Sequence, residues 1–204
     1  MMNQPDIAES LPPFLSPACR SRVSISSLQK GDYLFRDGDP VRDLFYVVDG
    51  ALKAVRYNLD GKEMVMLRGV SGEFFAESGI ALTHYVCAAI AEKDTLVAGI
   101  PVEVVMDELG GAESFALGLI LQVSRNARKQ CSRYERLRLK RAQDRIIHYL
   151  VCETGSQGVF EVTTSLADLA DELGLEPETL YRSLSELEKA GRIQKQSRSI
   201  RLLW

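Results

Sequence analysis

The hydrophobic pattern of the chain changes period along its length. From Gly31 to about Ile100, short apolar runs are broken by turn signals. Asp37-Gly38, Asp49-Gly50, Asp60-Gly61 and Ser71-Gly72 recur every 11 or 12 residues. Between them LFYVV (44–48), LKAVRY (52–57) and EMVMLR (63–68) read as strands. Short strands at this spacing predict an antiparallel sandwich or barrel. NLDGKE (58–63) predicts a tight hairpin, because Asp-Gly tolerates positive φ. YVCAAIAEKDTLVAGIP (85–101) predicts two more strands around Lys93-Asp94.

After Pro101 the pattern becomes helical. Glu103 to Leu109 predicts one short helix, ended by Gly110-Gly111, and about Ala112 to Lys140 predicts a long one. In the long segment Ala116, Ile120, Val123, Ala127, Gln130, Tyr134 and Leu137 alternate in steps of four and three, the a/d seam of a coiled coil. A helix of this length buries such a seam against its twin in a second subunit; the alternative is packing on its own barrel alone. Ala142 to about Cys152 predicts a last helix before the C-terminal segment.

Ser165 to Arg192 then reads as two helices about a tight turn. Leu166, Leu169, Ala170 and Leu173 form one apolar stripe, and Ser165 with Asp168 is a capping pair. Gly174 and Leu175 make the turn. Pro177 suits a first helical position, where its missing N–H costs nothing. Leu180, Leu184 and Leu187 form the second stripe, Lys189 lies in the last turn and Gly191 takes the left-handed stop. The outward face carries Glu178, Tyr181, Arg182 and Ser185. In a helix-turn-helix the N-terminal end of the second helix enters the major groove. There an arginine can donate to guanine O6 and N7, and a glutamate can accept from cytosine N4. Glu178, Tyr181 and Arg182 are therefore the candidate base readers, although Glu178 and Arg182, four apart, could also form a surface ion pair. Ser165, Thr179, Ser185, Lys195 and Arg198 are the candidate phosphate contacts. RIQKQSRSIRLLW (192–204) suggests two short strands about a basic tip, which makes the unit a winged helix.

Charge sharpens this division. Residues 1–121 carry 10 Lys and Arg against 17 Asp and Glu, a balance of −7; residues 122–204 carry 15 against 11, a balance of +4. An acidic front and basic back place nucleic acid at the back. No apolar run approaches the roughly 20 residues that span a membrane. MMNQPDIAESLPPFL lacks the basic start and apolar block of a signal peptide, so a cytoplasmic protein without membrane partners is expected. Cys19, Cys87, Cys131 and Cys152 contain no CxxC pair and are expected as free thiols. The two histidines, His84 and His148, lie far apart in the chain. They supply no cupin-like metal cluster, and no phosphate loop or nucleophile–base pair stands out. A cupin-like metalloenzyme is set aside and no catalytic residue is assigned.

Barrel, long seam helix and winged helix, in this order, resemble the CRP–FNR family of bacterial transcription regulators. LFYVVDGALKAV (44–55), GEFFAES (72–78) and LADELGLEPETLYRSLSELEKAGRI (169–193) carry the resemblance. It implies an α+β fold: an N-terminal antiparallel β-barrel of double-stranded β-helix or jelly-roll type (1–111), a dimerisation helix (112–140) and a C-terminal winged helix-turn-helix (141–204). It further implies a homodimer, an effector pocket in the barrel and a roughly palindromic operator with a GA-type core in each half-site. RNA polymerase is a further partner if the protein activates. ETLYR (178–182) matches the family's E-x-x-x-R recognition helix, so Glu178 and Arg182 inherit base reading. Pro177 and Tyr181 depart from the cyclic-AMP-responsive members.

Cyclic-nucleotide-binding members hold the ribose with a glutamate and the phosphate with an arginine. Glu77 keeps the first, while Ala76 replaces a glycine. The arginine is missing, since Tyr85 and Val86 of HYVCAA (84–89) fall at its place. A buried phosphate would lack its charge-assisted partner, which argues against a cyclic nucleotide. A cyclic-nucleotide-binding regulatory protein acting through protein partners is the alternative function. Cys19 alone cannot hold an iron–sulfur cluster. FAES (75–78) followed by YVCAAIA (85–91) looks most like the nitric-oxide and haem-responsive branch. The resemblance therefore names haem as a candidate cofactor, His84 as its first ligand, Cys87 close by and His148 a remote third. Glu77, Tyr85 and Cys87 are the candidate effector-pocket residues. Cys87 as a redox switch would need exposure and a lowered pKa.

Overall fold

The structure, a computed structural model, describes residues 10–111, 113–154, 158–162, 165–197 and 199–203. It divides into two compact units between Ser124 and Arg125.

In the first unit the described strands form two four-stranded antiparallel sheets. One has the order β1 (Ser24–Leu28), β8 (Thr95–Pro101), β3 (Asp43–Asp49), β6 (Phe74–Phe75). The other has the order β2 (Tyr33–Phe35), β7 (Ala88–Ala91), β4 (Ala51–Tyr57), β5 (Glu63–Val70). The runs LFYVV, LKAVRY and EMVMLR lie within β3, β4 and β5. Residues 85–101 give β7 and β8, with 85–87 outside the strand. The strands do not close into one ladder; the expected barrel is a pair of facing sheets. It also starts before Gly31, because β1 pairs with β8 from Ser24↔Gly99 to Leu28↔Thr95.

β3 explains the packing. Leu44 and Val48 face one side with Phe74, Ala98 and Ile100, while Val47 faces the other with Phe35, Leu52, Phe75, Tyr85 and Val97. A strand covered on both faces reads as a continuous apolar run, as LFYVV does. The cover on the first side is helical. It comes from α1 (Pro17–Arg22), α2 (Val102–Gly111) and the start of α3 (Glu113–Arg138), through Cys19, Val104, Val105, Phe115 and Leu119. Gly118 lets Phe14 sit against α3, for a Cβ there would fall 2.8 Å from the ring. The helix ends at Gly111, as the expected Gly110-Gly111 stop implies, though without a left-handed cap. Both glycines stay in α2, and neither adopts the positive φ of a helix stop.

In the second unit α4 (Ala142–Thr154) follows the end of α3. Then come β9 (Val159–Glu161), α5 (Leu166–Leu173), α6 (Pro177–Lys189), β10 (Ile193–Lys195) and β11 (Ser199–Leu202). The strands form one antiparallel sheet, β10-β11-β9. Ile146, Leu150, Leu169, Leu173, Leu180, Leu184, Leu187, Ile193 and Ile200 share one core. β9 had no counterpart in the sequence reading.

Candidate nucleic-acid interface and effector region

α5 begins with a full capping box. The Ser165 hydroxyl accepts from the Asp168 N–H at 3.1 Å, and the Ser165 N–H donates to Asp168 Oδ2 at 3.1 Å. α5 ends at Gly174, with φ 61°, and a Cβ there would fall 3.1 Å from Leu137 Cδ2. The turn therefore takes glycine for its left-handed conformation, while exposed Leu137 would have only to shift slightly for a Cβ. Arg145 fastens it: Nη1 donates to Gly174 O at 3.0 Å and Nε donates to Leu139 O at 2.8 Å. Sequence reasoning missed Arg145, because a lone arginine on an amphipathic helix gives no pattern.

α6 starts on Pro177, then buries Leu180, Ser183, Leu184 and Leu187. Their burial leaves Glu178, Tyr181 and Arg182 exposed on the opposite side. Among the described residues no ion pair joins Glu178 to Arg182, so the simple surface-pair arrangement is not formed. The candidate phosphate contacts fare differently. Ser165 Oγ is held in the cap, donating to Asp168 Oδ2 at 2.6 Å. Thr179 is half-buried. Ser185 Oγ donates to Tyr181 O at 3.0 Å. Lys195 Nζ lies 3.0 Å from Glu188 Oε2, and the Lys195 N–H donates to Glu188 Oε1 at 3.1 Å. These two contacts, the Lys195 ammonium first, hold the Glu188 carboxyl below the usual carboxylate range. Arg198 lies outside the described residues.

A second residue missed by the sequence reading is Arg136. It is 2 % exposed, donates to Glu172 Oε1 at 2.8 Å and stands 4.9 Å over the Tyr149 ring. One guanidinium from the end of α3 thus holds both α4 and α5.

The seam residues of α3 are uncovered in the single chain. Ala116 is half-buried, and Ile120, Val123, Ala127, Gln130, Tyr134 and Leu137 are exposed. The opposite stripe is the buried one, with Phe115, Leu119 and Gln122. Gln122 Nε2 donates to Phe74 O at 2.8 Å, a buried link from α3 to β6.

Phe74 leads into the effector segment. Glu77 opens a 3-10 turn (Glu77–Ala81) preceded by Ala76 at φ 65°, a left-handed conformation that a non-glycine residue adopts at a cost. Tyr85 packs against this turn: its ring lies 3.3 Å from the place of a Cβ on Gly79. The ring is buried, and burial pushes the phenol up to about 12. Cys87 is half-buried at the edge of the same cluster, and burial raises its thiol as well, the opposite of the shift a thiolate switch needs. His84 is exposed, with Nδ1 3.1 Å from Thr83 Oγ1. At the place where the resemblance would put the phosphate-binding arginine, Tyr85 presents a stacked, neutral phenol, which argues against a cyclic nucleotide. Among the described residues no three His, Cys, Asp or Glu are grouped to hold a metal ion, and no helix is long and apolar enough to cross a membrane.

Comparison with known proteins agrees with this architecture. Residues 25–110 match the cyclic nucleotide-binding domain and residues 144–203 the Crp-like helix-turn-helix domain. The transcriptional activator protein anr of Pseudomonas aeruginosa is 29% identical over 184 residues, covering 86% of this chain and 75% of the relative. Electron transport regulator A of Shewanella oneidensis is 28% identical over 183 residues, covering 85% and 72%. The structure of FixK2 from Bradyrhizobium japonicum superposes with a TM-score of 0.69 at 25% identity, covering 88% of this chain and 92% of that one. With a cyclic-nucleotide-binding-type unit ahead of a Crp-like helix-turn-helix, the chain belongs to the CRP–FNR family of DNA-binding transcription regulators.

Proposed function

We propose that this regulator acts as a homodimer joined along α3, placing α6 of each subunit in the major groove of one half of a palindromic operator. The observation that carries the reading is the division of α6. Leu180, Leu184 and Leu187 are buried, while Glu178, Tyr181 and Arg182 are exposed and unpaired with one another. Arg182 donates to guanine and Glu178 accepts from cytosine, which together suit a GA-type core. Tyr181 meets a flanking base. The uncovered seam from Ile120 to Leu137 supports the dimer. Thr179 flanks the reading face as a phosphate contact, and Ser165, Ser185 and Lys195 join it where they exchange Asp168, the Tyr181 carbonyl and Glu188 for phosphate; Arg198 is the further phosphate candidate. RNA polymerase is the further partner where the bound protein activates.

The first unit carries the signal, and its chemistry differs from cyclic-nucleotide sensing. Titration with a labelled cyclic nucleotide gives no saturable binding on this reading. Haem on His84 is decided by an absorption spectrum of protein expressed with haem available, where a Soret band would establish it. Footprinting on a selected operator tests the whole arrangement. Two protected half-sites one helical turn apart, roughly 34 Å, are expected; a single protected half-site overturns the dimer.

A further inference from the structure

Beyond the barrel and the reading helix, the second unit holds a chain of three side chains that neither role uses. Cys152 and His148 are one turn apart on α4, and Glu135 comes from α3. Glu135 Oε2 lies 3.1 Å from His148 Nε2, and Cys152 Sγ lies 3.6 Å from His148 Nδ1. A carboxylate only accepts, so Nε2 is the donor to Glu135. In the neutral ring Nδ1 then presents its lone pair to the thiol, the arrangement in which it can act as base. This is the order nucleophile, base, orienting acid that activates a cysteine.

The other thiols set the contrast. Cys19 is fully buried, and burial, then the nearby Glu108 charge, raises its thiol. Cys87 is likewise raised by burial. Cys131 is exposed like Cys152, but among the described residues it has no imidazole beside it. Among the described residues exposure and an imidazole base coincide at Cys152 alone.

We propose that Cys152 is a hydroperoxide-reactive thiol, with His148 as its base and Glu135 as the residue that positions the imidazole. The thiol proton passes to His148 Nδ1 and the sulfur attacks the nearer peroxide oxygen. An S–O bond forms as the O–O bond breaks. The departing hydroxide takes the proton from His148 and leaves as water. Sulfur loses the two electrons that the peroxide gains, and the protein is left with a sulfenic acid. The modified residue lies on the helix whose Ile146 and Leu150 pack in the core beneath α6, a covalent input separate from the barrel.

The test is peptide-resolved mass spectrometry of the full chain after timed exposure to iodoacetamide, with Cys131 as the internal reference. Cys152 is expected to alkylate at least about tenfold faster than Cys131. His148→Gln lowers Cys152 to the Cys131 rate and leaves Cys131 unchanged. Glu135→Ala slows Cys152, and Glu135→Gln, which still accepts from Nε2, restores part of the rate. In hydrogen peroxide with dimedone, the adduct forms at Cys152 ahead of Cys131. Equal rates for the two cysteines in the native chain, or an undiminished Cys152 rate in His148→Gln, overturn the activated thiol. Fast alkylation without a dimedone adduct overturns the hydroperoxide assignment.

Discussion

The ring of Tyr85 lies on the ring of Phe35, centroids 3.7 Å apart and planes 11° from parallel, while its hydroxyl donates to Asp43 O at 2.9 Å. A stacking contact and a hydrogen bond thereby fix an uncharged side chain in the core between the two sheets.

Tyr85→Phe keeps the stack and loses the hydrogen bond, so it costs about 1 kcal/mol in urea unfolding at neutral pH. The pH dependence follows from the phenol. Its folded pKa is about 12 against 10.0 ordinarily. Below pH 10 both folded and unfolded chains keep the proton. Above it the unfolded chain releases the proton first, so stability falls from pH 10 toward 12. Tyr85→Phe flattens that fall, and an unchanged alkaline slope would show the phenol to be exposed.

Arg182→Ala weakens binding at a GA-containing half-site by about 1–3 kcal/mol and relaxes base preference there. Arg198→Ala weakens all sequences alike and reduces the salt slope by about one. Fluorescence anisotropy on a panel of half-site variants separates the two patterns. Equal loss on every sequence for Arg182→Ala would remove its base-reading role.

Ile120→Glu combined with Val123→Glu places charge on the uncovered seam of α3. Sedimentation equilibrium at micromolar concentration should then show a monomer, and operator affinity should collapse. The first unit keeps its fold, because its buried contacts run through Phe115, Leu119 and Gln122 on the other stripe.

Glu172→Ala leaves the Arg136 guanidinium buried without its carboxylate and lowers the stability of the second unit by roughly 3 kcal/mol. Arg136→Met removes the charge itself while keeping packing on Tyr149, and costs less. Thermal unfolding of the two variants side by side gives the ranking; the reverse order would mean the guanidinium is solvated.

Where one face alone is buried, or two faces plainly are, the sequence was readable. β3, β4 and β5 fell at their apolar runs, and the stripes of α5 and α6 fell at their leucines. β1 was missed because SISSL is mostly exposed and draws its order from backbone pairing with β8, which leaves no hydrophobic signature. β6 and β9, two and three residues long, are too short to show a period. In α3 the a/d seam was visible, whereas the stripe of Phe115, Leu119 and Gln122 was not assigned to the sheets it covers. The exposed face of Glu178, Tyr181 and Arg182 was legible through its place after a capped turn. Arg136, Arg145 and the His148 chain were not, since each depends on a partner distant in sequence.

Lys195 grips Glu188 twice, by its ammonium and by its backbone N–H, so the hairpin tip is lashed to the last turn of α6. If α6 and the hairpin meet DNA as proposed, this tie couples their placement on the duplex, and Glu188→Gln should weaken the wing footprint together with the base contacts.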